Sequence, residues 1–265
     1  MHGIARLIAA QPRRKRLPRL VHPYAVERAY TQDLLAFNHQ LRKEVVDELF
    51  PRLRFYVNNN PLVRRDSLSD DAYEAIENFK IQFLRKYGIN ELKRLALKQG
   101  QSLNRYNQEQ LSRVIGINVF GNEPWLEDRM AMFAMNNAHL IKTIPERFFN
   151  DVSSITFDAL KKGTPWDDMQ DELMGRFGVS DWNAERLARD QISKLNAGLN
   201  QFRQEDIGVD GYFWRGTLDQ RERDSHRAHE GIRYAWNDPP ADTGHPGDDI
   251  LCRCWAEPDL AKFYE

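Results

Sequence analysis

With 265 residues, the chain is long enough for one large domain or two modest ones around a real hydrophobic core. Its 38 Lys and Arg against 39 Asp and Glu leave a formal charge of -1 at pH 7, a balance that hides strong local bias and is silent about partners. No apolar run approaches the roughly 18 residues of a membrane helix. Leu7 to Ala10 is too short an apolar run for a secretory segment, and two cysteines one residue apart are no disulfide framework, so synthesis in a reducing cytosol is expected.

Residues 1–22 read as a basic arm. Arg6, Arg13, Arg14, Lys15, Arg16 and Arg19 precede the first acidic residue, Glu27. Such a cluster neutralises phosphates, so non-specific DNA contact through Arg13, Arg14, Lys15, Arg16 and Arg19 is one expectation. A solvated tail is the other. Residues 23–179 read as a helical region. Tyr30, Leu34, Leu41, Val45 and Leu49 recur at helical spacing up to Pro51, which should end that helix. Ser69 then caps a helix with the stripe Tyr73, Ile76, Phe83, Leu84 and Tyr87, broken by Gly88. Separate helices are expected on either side of Gly100, another carrying Met130, Phe133, His139 and Ile141, and another from about Ile144 to Leu160. His139 reads as a hydrogen-bonded interior residue. Trp125, Phe133, Phe148, Phe149 and Trp166 are either core or a partly exposed docking patch.

Thr164-Pro165-Trp166-Asp167 has the grammar of a helix start, with a cap, proline in the first turn and an acid facing the dipole. Ser180 is expected to cap the clearest helix of the chain, which runs to Gly208 and opens a C-terminal unit of residues 180–265. Composition then turns from helix-forming to turn-forming. Strands are expected at 209–214, 232–236 and 251–255, with a charged turn or short helix between 219 and 231. The fold class is therefore α+β and predominantly α-helical: a helical N-terminal region, then a small C-terminal α+β unit with short strands and irregular loops.

The stretch from Gly211 to Trp255 holds both cysteines and three of the seven histidines. Trp214 is followed by Asp219, Arg221, Arg223 and His226, then Gly231, Pro246-Gly247 and Cys252-Arg253-Cys254. These residues, in this order, resemble the C-terminal motif of the phage Mu F-like family, the minor head or head-morphogenesis proteins of tailed bacteriophages. Trp125 to Gly208 looks like that family's helical lead-in. Asp190-Gln191 departs from a usual Thr-Glu and Glu222 from a usual apolar residue. The resemblance implies a non-catalytic, low-copy minor capsid protein of the virion, made in the host cytoplasm and associated with the portal or head interior. It also implies a part in head assembly, DNA packaging or ejection, with no membrane and no small-molecule substrate.

His226, His245, Cys252 and Cys254 form a candidate set for one structural Zn2+, which would staple three loops together. Against it stands the Cys-x-Cys spacing, which needs a bend at Arg253. The competing reading is two small buried thiols beside hydrogen-bonded histidines. Asp219, Arg221, Arg223 and Asp224 read as a turn and salt-bridge network, with Arg221 or Arg223 gripping Asp219 in fork geometry. A metal-dependent nuclease using Asp219, His226, Glu230 and His245 is the alternative from another class, and a free DNA-binding protein using the arm is a third. The sequence contains no phosphate loop, dinucleotide glycine pattern or metalloprotease His-Glu-x-x-His.

Overall fold

The computed structural model describes residues 2–12, 17–59, 65–118 and 120–264. Its helices are α1 (His2–Ala9), α2 (Tyr24–Glu44), α3 (Phe50–Asn58), α4 (Arg65–Lys86), α5 (Ile89–Ile115), α6 (Leu126–Lys162), α7 (Trp166–Asp206) and the short α8 (Asp224–Ala228). The strands β1 (Gly211–Arg215), β2 (Arg233–Ala235) and β3 (Trp255–Pro258) form one antiparallel sheet in the order β2-β1-β3. The protein is thus predominantly helical α+β, with its strands gathered at the C-terminal end of the sequence.

Two compact units are built from segments distant in sequence. One comprises Met1–Arg28, Leu97–Phe133 and Arg189–Glu265, the other Ala29–Ala96 and Ala134–Ala188. Their boundaries fall inside α2, α5, α6 and α7, whereas the sequence reading divides the chain into consecutive stretches.

The helices run longer than local punctuation suggests. Pro51 does not end the helix begun at Tyr24. A π-helical turn, Val45–Leu49, follows α2, with the Phe50 amide donating five residues back to the Val45 carbonyl. Pro51 then falls in the first turn of α3, where a missing N–H costs nothing. Gly100 lies within α5 and separates nothing. A Cβ there would sit 3.1 Å from the Phe133 ring, so glycine permits close packing of that ring. The two helices expected across 126–160 are a single α6 with Pro145 inside it, and Ser180 is a buried residue within α7, not a cap. Ser69 likewise lies inside α4.

In the unit of Ala29–Ala96 and Ala134–Ala188, aromatic side chains fill the core. Phe79 and Phe83 meet Phe149, Phe148 stacks on Phe177 with ring centroids 4.4 Å apart, and Phe50 meets Trp166 edge-on. Each such buried side chain contributes about 1.5–3 kcal/mol by leaving water. The fully buried Tyr30 hydroxyl donates to Asn137 Oδ1 at 2.9 Å, so burying it leaves no unmet donor. Of the five aromatics weighed as a docking patch, Phe133, Phe148, Phe149 and Trp166 are buried and Trp125 is partly so. The core reading holds for those four. Tyr73, placed in the core by periodicity, is 58% exposed, because Ala72, Ala75, Ile76 and Phe79 carry the buried face of α4. His139 is exposed rather than interior.

In the other unit the N-terminal segment is anchored. Ile8 and Leu20 are buried with Leu111, Val114, Ile115, Phe120, Ile207, Val209 and Trp255. Opposite them, alternation along β1 and β3 delivers Tyr212, Trp214 and Ala256 to a second cluster that also takes in Trp236, Cys252 and Cys254.

Between α7, α5 and the segment leading into α6 sits a buried ion pair. Arg203 donates from Nε and Nη2 to the two carboxylate oxygens of Glu123, at 2.6 and 2.8 Å, and its remaining donors reach Asn104 and Asn107. All five N–H donors are engaged, the condition under which a buried guanidinium is tolerated.

Candidate functional site

The expected motif unit closes around His226. This residue sits on α8, a one-turn helix opened by extended backbone at Arg223, and its ring is 2% exposed. Nε2 faces Asp249 Oδ2 at 2.8 Å and the Thr243 hydroxyl at 3.3 Å. Nδ1 faces two sulfurs, Cys252 Sγ and Cys254 Sγ, each at 3.5 Å. The carboxylate on one side thus assigns the proton to Nε2 and leaves the Nδ1 lone pair toward the thiols.

The two cysteines lie just before β3, outside regular strand. The chain turns into this segment at Leu251, which has a left-handed φ of 60°, and residues two apart on extended backbone face the same side. Asp190 on α7 holds this bend by accepting from the Leu251 amide at 3.0 Å. Gly247, with φ of 102°, donates its N–H to Cys252 Sγ at 3.3 Å, and a Cβ there would run into Ala197 of α7. Both cysteines are buried free thiols. The Cys252 thiol is pulled down, chiefly by a hydrogen bond from Cys254, and Cys254 is pushed up by the same pairing, so the pair releases its first proton readily and holds the second.

The fourth member of the expected zinc set is elsewhere. His245 pairs through Nδ1 with the Tyr212 hydroxyl at 2.9 Å and packs against Trp236. Among the described residues, the group able to share a metal ion is His226, Cys252 and Cys254, whose donor atoms all lie within 4.8 Å of one another. Residue type alone put His245 in the set, whereas the loop, with left-handed Gly244 and Gly247 on either side, faces its ring to Tyr212 of β1.

The acidic and basic motif residues form the scaffold of this pocket. Asp219 is gripped in a fork, but by Arg253, at 2.7 and 2.8 Å, and not by Arg221 or Arg223. The guanidinium holds the Asp219 carboxyl down at about 2. Arg221 contributes its backbone N–H to Asp219 Oδ1, while its side chain is exposed at a cleft. Arg223 donates to the Ile250 carbonyl and lies 3.6 Å from Asp249. Asp224 occupies the first turn of α8. Glu230 accepts from the Gly216 amide and pairs with Arg215. Trp214 packs edge-on to the His226 ring, Gly231 turns with φ of 77°, and Pro246 is buried. The nuclease set of Asp219, His226, Glu230 and His245 therefore has four separate sets of partners. A cleft of about 450 Å³ lies over the cluster, lined by His226, Cys252, Cys254, Glu222, Arg189, Arg221, Arg223 and Arg253, among others.

Residues 150–257 match the family model described as Phage Mu protein F like protein. This segment is phage Mu F-like. The match begins within α6 and ends in β3, so it takes in α7 and the whole His226 pocket. A protein of Haemophilus influenzae, described as an uncharacterized protein, is 35% identical over 139 residues. That alignment covers 52% of this chain and 31% of the relative, so this chain matches about a third of the relative's length. No solved structure matches. Among the described residues, no helix is long and apolar enough to cross a membrane.

Of the DNA-contact candidates, Arg13, Arg14, Lys15 and Arg16 lie outside the described residues. Arg19 stacks over Trp255 at 4.5 Å and donates to the Gly216 carbonyl. It is committed to holding the N-terminal segment to the sheet. The sequence reading missed Thr243 and Asp249, and it noted Asp190 only as a departure from the family's usual Thr-Glu. Asp249 had a signal, since a carboxylate three residues from a cysteine in a His/Cys set is a common outer partner. The contact of Asp190 with the Leu251 amide had none, because the two lie some sixty residues apart.

Proposed function

We propose that this protein is a minor head component of a tailed phage that docks at the portal or head interior and acts in head assembly and in DNA packaging or ejection. The observation that carries the reading is the Mu F-like match over 150–257, because the motif residues inside it serve as scaffold. Asp219, Arg223, Glu230 and Arg253 spend their charges on turns and on one another, leaving few groups arranged around a reacting atom. Such a cross-braced surface suits a protein held in a fixed assembly. The basic residues 13–16 offer non-specific contact to packaged DNA.

Co-expression with the portal protein of the same phage tests this. Co-elution on size exclusion that survives nuclease treatment is the expected result. No association with portal or heads, together with metal-dependent DNA cleavage abolished in His226→Ala, would overturn it in favour of a nuclease.

A further inference from the structure

We propose that His226 Nδ1, Cys252 Sγ and Cys254 Sγ bind one Zn2+, with the remaining coordination position facing the cleft beside Glu222. The donors are those zinc prefers, one imidazole nitrogen and two thiolates, and all three residues are buried. Their spacing is right as well. Ligands at about 2.0 Å (nitrogen) and 2.3 Å (sulfur) from a tetrahedral centre stand roughly 3.5 Å apart. Both nitrogen–sulfur distances here are 3.5 Å.

The surroundings are those of a prepared ligand set. Asp249 on Nε2 fixes the ring orientation and leaves Nδ1 free to ligate, the carboxylate–histidine–metal arrangement in which an outer carboxylate raises ligand basicity. The Gly247 N–H supports charge on Cys252 Sγ. Two thiols converge on one nitrogen lone pair, which accepts one good hydrogen bond, and the other nearby acceptor for Cys254 is the Glu222 carboxylate at 3.4 Å. A divalent cation would take both sulfurs as thiolates on one centre. It would also join α8 to the loop before β3, a region with little apolar sequence of its own.

The test is metal content and thermal stability of the purified, reduced, full-length protein. About one equivalent of zinc is expected, replaceable by Co2+ with a thiolate-to-cobalt charge-transfer band, and removal of metal should lower Tm reversibly. The Cys252→Ser, Cys254→Ser double variant should lose both metal and band, while His245→Ala keeps one equivalent. Should the double variant fail to fold, Asp249→Ala serves instead. That side chain is 44% exposed and touches no ligand atom but the far nitrogen, so folding should survive while zinc affinity falls roughly 10–100-fold. Wild-type protein that binds no zinc and gains no Tm from it would overturn the proposal, as would loss of metal in His245→Ala or unchanged affinity in Asp249→Ala. Portal co-elution is read separately, so failure of one reading leaves the other distinguishable.

Discussion

Asp219 and Arg253 show how single residues shape this unit. Arg253 separates the two cysteines, and its fork on Asp219 braces the wall of the cleft that the cysteines also line. The linkage sign is fixed by the carboxyl, held at about 2 against an ordinary 3.8. A depressed folded value contributes stability that is fully present above the unfolded value and lost as pH falls through the folded one. Wild-type protein should therefore lose stability between about pH 4 and 2, a loss that Asp219→Asn should lack in part. Denaturant midpoints measured at pH 6, 4 and 2.5 check this. Identical pH profiles for the two proteins would show that the fork does not persist in solution. Arg253→Lys keeps the charge but not the two parallel bonds, and should lower the pH 6 midpoint.

At the scale of elements, the buried Arg203–Glu123 pair is the most sensitive contact. Removing one partner strands a charge in the core, which costs about 3–5 kcal/mol. Glu123→Ala should show a urea-midpoint loss of that order, and a loss below about 1 kcal/mol would mean that water reaches the guanidinium. Neither residue stood out in the sequence. Arg203 is one of many charged positions on α7, and only the tertiary fold shows that all its donors are met. What the sequence did show was the amphipathic stripe of α2, the stop at Gly208 and the first two strands after it; the third, expected at 251–255, forms instead at Trp255–Pro258, after the turn that carries the cysteines. Helix boundaries were misread at Pro51, Ser69, Gly100 and Ser180, and between Ile141 and Ile144. Local propensity gives each a breaking or starting role, yet a π turn, a close ring contact and burial overrode it. In the site, the pairing of His226 with both cysteines was legible from residue type. The exclusion of His245 was not, because backbone torsions at glycines decided it. The bend at Leu251 was equally hidden, since a leucine with positive φ is rare enough that no pattern announces it.

At the scale of the whole molecule, the N-terminal segment joins two roles. Ile8 and Leu20 are core, and Arg19 is bound to Trp255 and Gly216, so deleting residues 1–20 would damage folding as well as charge. Neutral replacement of Arg13, Arg14, Lys15 and Arg16 is the cleaner change. Each neutralised phosphate contributes roughly 0.9 to the slope of log affinity against log salt, so the four replacements should flatten it by about 3 to 4. An unchanged slope would assign the arm to a protein surface instead. The central claim is membership of the phage head, and the most direct measurement is quantitative mass spectrometry of purified, DNA-filled heads from the encoding phage. The account predicts this protein at a low, fixed copy number relative to the major capsid protein, retained after nuclease and salt washing. Its absence from heads and from their assembly intermediates, with the protein found free in the lysate, would contradict the account.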